Sequence, residues 1–169
     1  LGVGVLAAAL KKQLLNAAGY QQLIDTTTKL NKVGSALAPM PAVHALTDVT
    51  GFGLLGHLLE MCRGAGLTAD VVFDQVPVLS EALPLAQQGI GPGAIERNMA
   101  SYGHEVDFAE HVPVWQQRLL ADAQTSGGLL VAVAPEAADE VLRAFAAAGF
   151  TQAAVIGQMR EGAGRVAVR

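Results

Sequence analysis

Thr47-Asp48-Val49-Thr50-Gly51-Phe52-Gly53 is the stretch of this chain whose residue types could do chemistry. One carboxylate, two hydroxyls and two glycines lie between an apolar run, Val43 to Thr47, and a segment of helical apolar spacing, Leu54 to Arg63. That order reads as strand, turn, helix. Backbone N–H groups at a helix start are unpaired and attract anions. A carboxylate there can cap the helix, or hold a hard cation that in turn holds a phosphate. Nucleotide-bound magnesium takes one or two protein carboxylates, with phosphate oxygens and water filling its octahedron. Asp48 is the candidate ligand. Thr47 and Thr50 are candidate donors to phosphate oxygens or metal-bound water, and Gly51 and Gly53 allow close backbone approach. The alternative is structural: Asp48 or Thr50 caps the helix and the glycines turn the chain. On spacing alone the cap is the commoner outcome.

A second polar loop, Gln124-Thr125-Ser126-Gly127-Gly128, feeds the apolar run Leu129 to Val133. Thr125, Ser126 and Gly127 offer hydroxyls and free N–H groups to an anion, and a plain turn is the competing reading. No Gly-Lys-Ser/Thr follows, so this is not a Walker loop. Gly51, Gly53 and Gly56 formally complete a Gly-x-Gly-x-x-Gly. The acidic residue that should end a second strand about 20 positions later is absent, since Asp70 precedes Val71-Val72-Phe73. Arg97 and Asn98, after Pro92-Gly93, could meet a phosphate. His57 falls on the helix after the central turn and reads as partly buried rather than ligating. His104 and His111, with Asp107 between, could share a face if that region is helical. Cys62 reads as a buried, inert thiol, and no Ser-His-Asp set is recognisable.

The elements that must position these residues follow from periodicity. Leu1 to Val5 alternates glycine with apolar residues and reads as a strand. Ala7 to Ala18 and Gln21 to Leu37 read as helices, the second ended by Pro39 and Pro41. Leu67 to Phe73 is the next strand. Ser80 to Gln88 is a short helix with Ser80 as its cap, and Ile95 to Tyr102 a helical turn. Val114 to Leu120 is a helix, and Leu129 to Val133 a strand buried on both faces. A helix from Pro135 to Ala148 precedes two strands, Ala153 to Met159 and Arg165 to Val168, read as a hairpin. The expected class is one α+β domain, a sheet layered with helices.

Composition bounds the rest. A chain of 169 residues, 51% hydrophobic and 15% charged, has material for one folded core. A net charge of −4, with no basic stripe, argues against nucleic acid as partner. One cysteine excludes an internal disulfide and a cysteine-cluster zinc site. No apolar run reaches the roughly 18–20 residues of a membrane span. Leu1 to Leu10 lacks the basic region of a signal peptide. The first residue is leucine, so the expectation is a trimmed piece of a longer protein.

Three motifs occur in order: Ala45 to His57 (ALTDVTGFGLLGH), Arg97 to Gly103 (RNMASYG), and Asp122 to Leu130 (DAQTSGGLL). Together they closely resemble selenophosphate synthetase (selenide, water dikinase), in particular its C-terminal domain. The resemblance spans essentially the whole chain. The wider superfamily includes aminoimidazole ribonucleotide synthetase, thiamine-monophosphate kinase and a hydrogenase-maturation protein. The resemblance implies a three-layer α/β/α fold with a mixed sheet. It also implies a parent enzyme that makes selenophosphate, AMP and phosphate from selenide, ATP and water with Mg2+, in the cytoplasm. Asp48 then matches a carboxylate that helps bind magnesium, with Thr47, Thr50, Gly51, Gly53, Asn98, Thr125, Ser126 and Gly127 near nucleotide or phosphate. An N-terminal ATP-binding domain, absent from residues 1–169, would carry the catalytic cysteine or selenocysteine and a lysine, and would form most of a homodimer interface. Cys62, Lys11 and Lys12 match neither catalytic residue, so no catalytic residue is expected in this chain. Ala123 stands where a proline is usual, and Ala94-Ile95 where glycine and threonine often follow Pro-Gly. The lost hydroxyl removes any phosphate role at Ile95. The competing readings are another ATP-dependent member of the superfamily, a kinase or cyclo-ligase, and a non-catalytic folding or oligomerisation module.

Overall fold

A computed structural model describes all residues, 1–169. Its central element is the helix that follows the Asp48 turn. This helix, α4 (Gly53–Ala65), buries Leu54, Leu55, His57, Leu58, Leu59 and Cys62. A helix apolar on most faces must be surrounded, and α4 packs against strands and helices on several sides. It ends at Gly66, whose φ of 66° is the left-handed turn that a glycine C-cap supplies.

The other helices are α1 (Val3–Lys11), α2 (Ala17–Thr27), α3 (Val33–Leu37), α5 (Leu83–Gln87), α6 (Ala94–Tyr102), α7 (Val114–Leu120) and α8 (Ala138–Ala147). The strands are β1 (Val43–Asp48), β2 (Leu67–Val71), β3 (Val106–Phe108), β4 (Leu129–Val133), β5 (Gly157–Glu161) and β6 (Val166–Val168). The α+β class and the mixed sheet are as expected. The strands divide into a four-stranded sheet, ordered β3-β6-β2-β5, and an antiparallel ribbon, β1-β4. Within the larger sheet β2 runs antiparallel to β5 and parallel to β6, and β6 parallel to β3.

The main core joins α4 to the larger sheet through Leu55, Leu59, Val71, Val166 and Val168. A smaller cluster, Val33, Leu37, Val141 and Phe145, puts α3 and α8 beneath the ribbon, against Leu46, Leu129, Val131 and Val133. An apolar-lined cleft of about 1620 Å³ separates β4 and α8 from β2 and β5.

Several expectations fail for physical reasons. Leu1 to Val5 is not a strand, because α1 starts at Val3 and is capped from far away. The Asp122 carboxylate accepts from the Gly4 and Val5 N–H groups at 3.0 and 3.2 Å. The first predicted helix breaks after Lys11, and α2 starts afresh at Asn16, whose side chain accepts from Gly19 N. The Gln21–Leu37 helix is likewise two helices. Ser80 caps nothing; its hydroxyl accepts from Gln22. β4 is only partly buried, being half of a ribbon. β5 and β6 are not a hairpin pair, since β2 lies between them. His104 and His111 share no helix: a 3-10 turn, Gly103–Glu105, and then β3 occupy that region.

Candidate functional site

β1 delivers Asp48 to the end of the ribbon, where its Cα partner is Leu129 of β4. That pairing sets the two polar loops side by side, because each leaves the ribbon at the same end. Val49 N donates to Gly128 O at 2.9 Å, and Gln124 N donates to Thr50 O at 3.0 Å. Gly127 fits against Val49 so closely that a Cβ would overlap the Val49 carbonyl oxygen. Gly127 O in turn accepts from Asn31 Nδ2 at 2.7 Å. Gly53 has φ 70°, and a Cβ there would lie 2.7 Å from the Ala121 carbonyl carbon. Glycine is required at both positions by approach of backbone to backbone. Gly51 has open space around it.

The Asp48 side chain is exposed and has no ion-pair partner. It does not cap α4: the N-cap position is Phe52 and no side chain bonds to the helix start. Nor does Thr50, whose hydroxyl is 3.0 Å from His57 Nε2. The cap reading of the turn therefore fails. Thr47 Oγ1 donates to Asp48 O at 3.2 Å. The N–H groups of Thr50, Gly51 and Phe52 donate to no backbone carbonyl, and neither do those of Thr125, Ser126, Gly127 and Gly128. Ser126 takes a positive φ of 51°, rare for a side-chain-bearing residue. Adjacent N–H groups without acceptors, beside one exposed carboxylate, suit an anion that shares a cation with that carboxylate.

Asn98 sits differently from its expected place at a phosphate. It is buried, and its carboxamide donates to Gly51 O at 2.9 Å and to Ala121 O at 3.0 Å. Tyr102 Oη, one helical turn on, donates to Phe52 O at 2.5 Å. Burial pushes the Tyr102 hydroxyl well up, which keeps it a donor. Gly56 admits the Tyr102 ring, with Cε1 3.0 Å from where a Cβ would be. His57 Nδ1 lies 3.3 Å from Glu60 Oε2, but without hydrogen-bond alignment. We read this as proximity alone. The sequence carried no signal for Asn31 and showed Tyr102 only as part of the Arg97–Gly103 motif, without its role, because a side chain that holds a backbone carbonyl can be of many types.

Asp122 anchors the second loop from below. Its side chain is fully buried, accepts from Gly4, Val5 and Gln124 Nε2, and leaves Oδ1 without a partner. Burial raises its pKa to about 6, against the pull of the Gln124, Val5 and Gly4 hydrogen bonds. Cys62 is fully buried and burial pushes its thiol up, as an inert core cysteine requires. No group of three or more His, Cys, Asp or Glu side chains lies close enough to hold a metal ion. The large apolar cleft reaches Ser126, Gly127 and Gly128 at one end but is not lined by Asp48.

The family model for the C-terminal domain of AIR synthase related proteins matches residues 1–169. The chain is 60% identical over 168 residues to a selenide, water dikinase of Burkholderia pseudomallei (strain K96243). That alignment covers 99% of this chain and 48% of the relative, so the chain spans about half the length of the curated relatives it matches. Among solved structures it is similar to E. coli HypE, with a TM-score of 0.69 at 22% identity over 99% of this chain and 43% of that one. It is also similar to a hydrogenase maturation protein HypE in complex with ATP, with a TM-score of 0.61 at 20% identity over 99% and 44%. These structural likenesses speak for the fold.

Proposed function

The chain belongs to the family of AIR synthase related proteins, C-terminal domain, and from that premise we propose that it is the C-terminal half of an ATP- and magnesium-dependent selenide, water dikinase. The parent would convert selenide, ATP and water to selenophosphate, AMP and phosphate, as a cytoplasmic homodimer. Its own N-terminal domain would be the partner of residues 1–169 and would supply the catalytic residues. The observation that carries this reading is the meeting of the Asp48 turn with the Gln124–Gly128 loop, each offering N–H groups without backbone acceptors. The match to relatives named selenide, water dikinase supports that reaction over another superfamily chemistry, and the ATP complex of a protein of like fold supports the nucleotide.

Asp48 fits magnesium as a single ligand. Phosphate oxygens, water and carboxylates from outside this chain would complete the octahedron, since no multi-carboxylate cage is present here. Asp48 would hold the ion through its exposed carboxylate, and a bound cation would there offset the negative charge of phosphates. Thr50 is held by His57 and Thr47 by its own strand end, so Thr125, Ser126 and the loop N–H groups are the chain's better candidates for phosphate oxygens. Gly53 and Gly127 shape the backbone around them, and Asn98 acts from beneath through the Gly51 carbonyl. The deciding experiment is selenide-dependent AMP formation by the full-length parent, wild type and Asp48→Asn. A loss of at least 100-fold, with a raised magnesium requirement, is expected. Wild-type protein that forms no AMP with selenide, or an Asp48→Asn variant with unchanged magnesium dependence, overturns the reading. The other superfamily chemistries are tested by the same assay with other phosphoryl acceptors.

A further inference from the structure

Three consecutive residues of the Asp48 turn are each held by a different buried side chain. Thr50 Oγ1 meets His57 Nε2, Gly51 O accepts from Asn98 Nδ2, and Phe52 O accepts from Tyr102 Oη. Two of these side chains lie on α6 and one on α4, so the turn rests on the contact between those helices. Asn98 does more than the other two. One carboxamide nitrogen serves Gly51 O in the first loop and Ala121 O at the root of the second. Both its protons are spent on backbone carbonyls, so none is left for a phosphate.

Resting on the nucleotide-site reading above, we infer that Asn98 is a positioning residue that locks the Asp48 turn and the Ala121–Gly128 loop into one anion cradle, with Tyr102 and His57 as its auxiliaries. With the Gly51 and Phe52 carbonyls held by Asn98 and Tyr102, the Thr50, Gly51 and Phe52 N–H groups of the same turn have no backbone acceptor. Gly53, pressed on Ala121, and Gln124 N, bonded to Thr50 O, complete the junction between the loops. The lock is mechanical: it sets where the carboxylate and the two sets of N–H groups stand relative to one another. It touches neither nucleotide nor metal.

Asn98→Asp keeps the shape and removes both donors, and Tyr102→Phe removes one hydroxyl. Two measurements on the full-length parent test the lock. In backbone hydrogen exchange by mass spectrometry, Asn98→Asp is expected to speed exchange at least tenfold in peptides covering 49–53 and 121–128 together, with other core peptides unchanged. In steady-state kinetics it is expected to raise KM for Mg-ATP and lower kcat, each by tenfold or more, while Tyr102→Phe gives a threefold to tenfold effect of the same kind. Should Asn98→Asp fail to fold, Asn98→Ala, which removes the same two donors without burying a charge, carries both measurements. Exchange that rises in only one loop, or kinetics that stay at wild-type values per folded molecule while the melting temperature falls, overturns the lock and leaves Asn98 a stability residue. A parent without ATP turnover overturns the proposed function instead, and the exchange measurement then decides the lock alone.

Discussion

Asp48 is the residue at which two physical roles compete, and its surroundings separate them. A side chain that caps a helix accepts from N–H groups of the first turn, and losing such a cap costs about 0.5–2 kcal/mol. Asp48 is exposed and bonds to no helix N–H. Asp48→Ala in the isolated chain is therefore expected to change unfolding free energy by no more than about 0.5 kcal/mol. Urea titration checks this; a loss above about 1 kcal/mol would restore the cap. Gly127 behaves in the opposite way. Gly127→Ala drives a Cβ into the Val49 carbonyl, and neither backbone can yield without moving the site. A destabilisation of about 1–3 kcal/mol is expected, where Gly51→Ala, with open space, should cost little. Thermal melts of the two variants compare them directly. Gly53 and Gly127 were legible from sequence because close backbone approach at a turn restricts residue type. The true work of Asn98 was not, because an amide can serve a phosphate or a carbonyl and only the fold says which lies within reach.

At the scale of elements, the long strands and helices were readable where local pattern and tertiary demand agree. β1, α4, β2, α7 and β4 fall close to where periodicity puts them. Leu1 to Val5 shows the failure. Its two-residue alternation fits a strand, but a carboxylate 118 residues away in sequence supplies the N–H acceptors that make it a helix start. β3 is three residues long, too short for a pattern, and pairs only because β6 lies alongside it. The Asp122 cap has a pH signature. Its pKa is raised from 3.8 to about 6 on folding, so the native state binds the proton more tightly than the unfolded chain. The resulting stabilisation is full below the unfolded value and is lost as pH rises through about 6, an amount on the order of 3 kcal/mol. Asp122→Asn has no such proton. The stability of wild type minus that of Asp122→Asn is thus expected to fall as pH is raised from about 4 to about 7. Denaturant titrations across that range measure it, and a flat or rising difference contradicts the buried-cap account. Taking the difference removes Glu105 and Asp107, whose arginine partners hold their carboxyls low and which act in the opposite sense.

At the scale of the whole molecule, the proposed cradle would need charge that this chain does not supply. Two loops from opposite halves of the sequence are joined by hydrogen bonds and close glycine contacts, and they present a single carboxylate. An octahedral magnesium ion dehydrates reluctantly, and one exposed carboxylate gives it little reason to do so. A triphosphate carries several negative charges, which Asp48 alone would repel without an intervening cation. The isolated chain is accordingly expected to form no AMP from ATP and selenide. In calorimetric titration it should bind magnesium only at millimolar concentration or above, and a non-hydrolysable ATP analogue no better, even with magnesium present. In the full-length parent both should bind together, each tightening the other, because the cation then has phosphate on one side and carboxylates on the other. Submicromolar magnesium binding to residues 1–169 alone would place a complete metal site in this chain and contradict the single-ligand account. Mutual tightening that survives Asp48→Asn in the parent would remove this carboxylate from the shell. With mutual tightening lost in that variant and stability unchanged, the exposed carboxylate has one remaining role: to meet the phosphates through the ion.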